Sequence, residues 1–168
     1  MRDPMDLTAL GFDYGTHRIG VAAGQTVTGT ASPLGIIFVR RNKPDWSSVS
    51  TLIQRWQPDA LVVGLPVNMD GTEHELAPAI HRFTRQLRSY YGLPVHTIDE
   101  RLSSREAQAR LAGHPRGKEE VDAVAAQVIL ETWLSTLIIP QQRSAERHRY
   151  RRHTYGRGVD RQAVIQAA

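Results

Sequence analysis

Cysteine is absent from the 168 residues, which excludes disulfides, thiolate zinc sites and a cysteine nucleophile by composition alone. No apolar run approaches the ~20 residues that a membrane-spanning helix requires, and Met1 to Leu7 lacks the basic-then-apolar order of a secretory signal. A cytoplasmic chain with no membrane attachment is therefore expected. The seven histidines show no paired spacing suited to a metal ion. A chain of this length makes one domain, burying roughly 70% of the surface its unfolded form exposes.

Positive charge is present but uneven. The net charge is +4, yet residues 141–168 alone carry +5, from seven arginines against Glu146 and Asp160. Residues 1–140 are left with −1, so bulk charge does not make the body a nucleic-acid binder and such a case must rest on a site. The segment 141–168 has little apolar content before its last residues. The sequence thus predicts a folded domain over 1–140 and a basic, disordered tail over 141–168.

Three short apolar runs separated by turn residues predict strands at Leu7 to Tyr14, Arg18 to Gln25 and Pro33 to Arg40. Asp45 is placed to cap a helix whose Trp46, Val49, Leu52, Ile53 and Trp56 recur at helical spacing until Pro58. Ala60 to Leu65 is apolar without alternation, as in a strand covered on both faces. A loop from Pro66 to Gly71, a helix from about Glu73 to Tyr91, a strand from Pro94 to Asp99 and a short helix over Glu106 to Leu111, with Ser103 and Glu106 as a capping box, follow. The last helix is expected over Glu119 to Ile138, with Val121, Val124, Ala125, Val128 and Thr132 inward and Pro140 as its stop. Hairpins first and crossovers after imply an α/β fold. Its five-stranded mixed sheet would have three antiparallel strands, then two parallel ones, with helices on both sides.

Asp13 ends the first strand, and alternation puts it on the face of Ala9 and Gly11, opposite Leu10, Phe12 and Tyr14. Small neighbours leave room for a metal and a phosphate, although an aspartate before Gly15 can also simply shape a turn. Asp99 and Glu100 end another strand, and alternation allows one of them, without saying which, to share Asp13's face. Pairing with Arg101 or Arg105 is the plain structural alternative. Asp122 opens the last helix beside its apolar stripe, where the helix dipole alone would also favour an acid. Together, acids from two strand ends and a helix would converge at one sheet edge. Such oxygen ligands suit two Mg²⁺ or Mn²⁺ ions, which activate water and stabilise the leaving oxygen of a phosphodiester.

Four blocks of the chain resemble the bacterial YqgF/RuvX family. They are Phe12-Asp13-Tyr14-Gly15-Thr16 with Ile19-Gly20-Val21-Ala22, the run Val63 to Glu73, Asp99-Glu100-Arg101-Leu102-Ser103-Ser104, and Val121 to Ala126 with Ile129-Leu130-Glu131. The resemblance implies a ribonuclease-H-like fold related to Holliday-junction resolvases, and a nuclease that matures the 5′ end of precursor 16S ribosomal RNA. It implies Asp13, Glu100 and Asp122 as catalytic, metal-binding acids, and Thr16, Arg18, Asn68 and Arg101 near the phosphate backbone. The expected partner is nucleic acid, precursor rRNA before a DNA junction, bound by a monomer or homodimer. Two alternatives remain beside it: a Holliday-junction resolvase acting on DNA, and a non-catalytic RNA-binding assembly factor contacting RNA through its arginine tail. An actin-like ATPase, which shares the Asp-x-Gly-Thr hairpin, is disfavoured because it needs two such domains to clamp a nucleotide.

Overall fold

The structure, a computed structural model, describes residues 5–102, 109 and 117–152, with side chains to 137. The strands are β1 (Thr8–Tyr14), β2 (Arg18–Gln25), β3 (Thr30–Arg40), β4 (Lys43–Pro44), β5 (Ala60–Leu65) and β6 (Val95–Asp99). The helices are α1 (Trp46–Trp56), α2 (Ala77–Tyr91) and α3 (Lys118–Arg152), with a 3₁₀ turn over Glu100–Leu102. The sheet runs β4-β3-β2-β1-β5-β6, antiparallel from β4 to β1 and parallel from β1 to β6. The expected mixed sheet is present, with one two-residue edge strand more than the sequence suggests. That strand closes a tight turn in which Arg41 and Asn42 take positive φ, the geometry that matches the twist of a hairpin.

β1 lies between β2 and β5, and both of its faces are covered. Leu10, Phe12 and Tyr14 join Val21, Ile37, Val39, Leu61 and Val63 in a core roofed by α1 and α2, through Val49, Ile80, Phe83 and Leu87. Ala9, Ala22, Ala31, Ala60 and Val62 form the opposite face, roofed by Ala126, Ile129, Leu130, Trp133 and Leu134 of α3. The residues are large on the first face and small on the second. A sheet face of alanines and glycines lets α3 settle close to the backbone, where larger side chains would hold it away.

Several element bounds differ from the sequence expectation for local reasons. β3 starts at Thr30 because a register shift beside Val21 and Ala22 accommodates Pro33, whose nitrogen cannot donate to the ladder. α2 starts at Ala77, since Asn68 and Asp70 draw the preceding chain into a closed loop, with Asn68 Nδ2 donating to Thr72 Oγ1 and the Glu73 carbonyl. Their side chains compete with the helix for these groups. The inward stripe of α3 runs through Ala126, Ile129, Leu130, Trp133 and Leu134, leaving Val121, Ala125 and Thr132 half-buried, because the floor of small residues admits Leu130. α3 also passes through Pro140 and ends at Arg152. The capping box at Ser103 and Glu106 and the short helix after it lie outside the described residues, as do 153–168.

Candidate active site at the end of β1

Asp13 pairs with Gly20 across β1 and β2, on the face that α3 covers. A Cβ at Gly20 would collide with the Asp122 carbonyl, so the first turn of α3 rests directly on β2 beside Asp13. Farther along the same helix, a Cβ at Gly11 would come 2.8 Å from Leu130 Cβ. These glycines set the depth of α3 and thereby the position of Asp122. Glycine serves here by lacking a side chain where backbones approach closely.

The third acid arrives from the other flank. β1 and β5 run parallel through Phe12↔Val63, and β5 and β6 through Leu65↔Asp99, which brings the ends of all three strands to one edge. The 3₁₀ turn after β6 then directs Glu100 over Gly64, where an added Cβ would lie 2.7 Å from Glu100 Oε1. Asp99 turns away. Its two oxygens take Arg101 Nε and Nη2 at 2.7–3.1 Å, and the Arg101 pair holds its carboxyl below the usual carboxylate range. The two carboxylates that strand alternation left undecided are thus separated: one is paired with an arginine in solvent, the other placed inward.

Burial, then the charges of Glu100 and Asp122, push the Asp13 carboxyl up from 3.8 to about 7. Burial also raises Glu100, partly offset by His74. His74 was not singled out from sequence. Its Nδ1 accepts the Leu76 amide at 3.1 Å, which fixes the ring in the loop before α2. A lone histidine in a loop carries no spacing signal; its closeness to Glu100 emerges only from the fold.

Arg18 Nε donates to Asp122 Oδ2 at 2.7 Å, with the two side chains 31% and 28% exposed. Thr16 is exposed on the β1–β2 turn, and Asn68 and Arg101 lie exposed on the loop after β5 and the turn after β6. Carboxylates gathered so that Glu100 and Asp122 raise the proton affinity of Asp13 are a donor set expected for a hard divalent cation, so the three acids fit such an ion in chemistry. Among the described residues no three acid or imidazole side chains yet stand close enough to enclose one. Arg18 holds one oxygen of Asp122.

A family model described as RuvX, Holliday junction resolvase, matches residues 7–136. Two similar curated proteins are both named "Putative pre-16S rRNA nuclease". That of Azotobacter vinelandii is 52% identical over 130 residues, covering 75% of this chain and 92% of the relative. That of Pseudomonas putida is 49% identical over 130 residues, covering 74% and 92%. Among solved structures, T. thermophilus RuvC in complex with a Holliday junction substrate overlaps with a TM-score of 0.51 at 17% identity, covering 77% of this chain and 96% of that one. The overlap shows a shared fold, and with the family match it defines a nuclease of the ribonuclease-H-like class. The chain belongs to the RuvX family. Among the described residues, no helix is long and apolar enough to cross a membrane.

Proposed function

We propose that this chain is a metal-dependent nuclease that trims the 5′ end of precursor 16S rRNA, with Asp13, Glu100 and Asp122 as its metal-binding, catalytic acids. The observation that carries the reading is the cost of Asp13's charge: burial and two neighbouring carboxylates oppose its ionisation, and a cation would reverse that balance. When bound, Mg²⁺ or Mn²⁺ supplies charge stabilisation to the phosphodiester and a more acidic water. Relatives named for pre-16S rRNA support this choice of substrate.

The protein's own groups orient that substrate. Arg18 is anchored through Nε to Asp122, and Arg101 through Nε and Nη2 to Asp99, so each keeps guanidinium N–H groups for a phosphate oxygen. Thr16 offers a hydroxyl on the turn beside Asp13. Asn68 acts at one remove, since its Nδ2 is committed to Thr72 and Glu73 and holds the loop in shape. The family description favours a second reading, resolution of a four-way DNA junction.

Purified protein is tested on precursor 16S rRNA and on a four-way DNA junction, each with Mn²⁺ and with chelator. Cleavage of the RNA that needs Mn²⁺ and disappears in Asp13→Asn is the expected result. Cutting of the junction alone selects the second reading. RNA binding without cleavage in any metal, with Asp13→Asn indistinguishable from wild type, assigns the chain to non-catalytic assembly factors.

A further inference from the structure

On β3, Ile37 and Val39 face the core beneath α1 and α2, so Ile36, Phe38 and Arg40 lie on the opposite face, that of the acids. α3 covers the part of that face near Ala31, where Gln127 Nε2 donates to the Ala31 carbonyl at 2.8 Å. The Phe38 end is more open. Phe38 is 49% exposed, and among the described strand residues it is the one large apolar side chain left so open.

Phe38 pairs directly with Arg18 across β2 and β3. Side chains of such pairs stand about 4.5–5.5 Å apart at Cβ, and Arg18 in turn holds Asp122. An aromatic face therefore lies one side chain away from the acid cluster. Cations border it: Arg40 is on the same face two residues on, exposed Arg41 lies in the turn that follows, and exposed Lys43 opens β4 opposite Arg40. The nearby acid, Asp45, accepts the Ser48 hydroxyl at the start of α1. An exposed aromatic among arginines and a lysine matches the chemistry of a nucleic-acid strand, whose bases stack while its phosphates take the cations.

We propose that Phe38 is a stacking platform for one unpaired base of the nucleic acid, with Arg40 holding an adjacent phosphate, so that β3 guides the strand toward the acids. The inference rests on the nucleic-acid reading above and adds a second contact surface to it. It also makes the site selective for substrates with an unstacked nucleotide beside the scissile bond.

Binding is measured in chelator, where no cleavage intervenes, using an RNA hairpin with a single-stranded 5′ extension. Phe38→Ala and Phe38→Leu should each weaken binding about tenfold, while Phe38→Trp should retain it, because stacking needs a ring and not merely apolar area. An abasic residue moved along the extension should weaken wild-type binding at one position and leave Phe38→Ala unaffected there. Arg40→Gln should lower the salt dependence by about one phosphate contact. Wild-type affinity in Phe38→Leu, or an equal Phe38→Ala loss at every abasic position, overturns the platform. Binding without cleavage by the wild type overturns the nuclease reading alone, whereas no binding to any nucleic acid overturns both.

Discussion

Gly20 and the Asp122 carbonyl meet without room for a single carbon between them, and this contact joins β2 to the first turn of α3. The collision a methyl group would create is with backbone, which cannot swing aside as a long side chain can. Gly20→Ala should therefore lift the start of α3 and destabilise the fold by about 1–3 kcal/mol, as overpacking commonly does. Denaturant unfolding measures the loss, and activity should fall further than stability because Asp122 moves with the helix. A variant as stable as wild type would show that α3 does not seat on β2 in solution.

Asp13→Asn should change stability in a pH-dependent way. The native carboxyl titrates near 7 against 3.8 for the unconstrained group, so between those values the folded state holds the proton more tightly than the unfolded state does. Stability of the wild type then falls as pH rises from 4 through 7, and the asparagine variant escapes this fall. Each pH unit is worth about 1.4 kcal/mol, giving a ceiling of about 4 kcal/mol, reduced by the solvent that reaches this half-buried group. Thermal melts in chelator at pH 5 and pH 8 should show the variant gaining on wild type at the higher pH.

Divalent cations should stabilise the wild type and not Asp13→Asn. A ligand that binds only the folded state at about 100 times its Kd adds about 2.7 kcal/mol. Titration of Mn²⁺ or Mg²⁺ followed by Tm checks this, and chelator should return the original melt. Equal shifts in both proteins would place the ion elsewhere.

The two adjacent carboxylates at the end of β6 should separate in function. Glu100→Gln is expected to reduce cleavage at least as much as losing a group around a metal ligand, about 10–100-fold. Asp99→Asn removes an exposed pair with Arg101, so it should cost under about 1 kcal/mol of stability and retain most activity. A single-turnover assay on both variants decides it. The reverse order of activities would reassign the inward acid.

Much of this arrangement is legible in the sequence alone. The two-residue period alone put Asp13 on the small-residue face of β1, and the unbroken apolar run from Ala60 to Leu65 marked a central strand. The hand of Asp99 and Glu100 was not legible, because it depends on a 3₁₀ turn that breaks the alternation just where the choice is made. Nor was the pairing of Arg18 with Asp122, 104 positions apart in sequence. Of the inward stripe that the sequence places on α3, Val124 and Val128 are buried while Val121, Ala125 and Thr132 are half-buried, because the glycines beneath the helix determine which side chains fit. The sequence marks Pro140 as a stop. A proline removes one helical hydrogen bond without forcing the chain to end there, and the backbone continues to Arg152.

β1 is hydrogen-bonded along both edges, antiparallel to β2 and parallel to β5. Sliding it by one position would exchange every inward and outward side chain, presenting Phe12 or Tyr14 where the carboxylate belongs and driving Asp13 in among aromatic rings. Insertions and deletions of a single codon within residues 8–14 are therefore far more damaging than most substitutions there. The strand acts as a ruler whose zero mark is held by two neighbours at once.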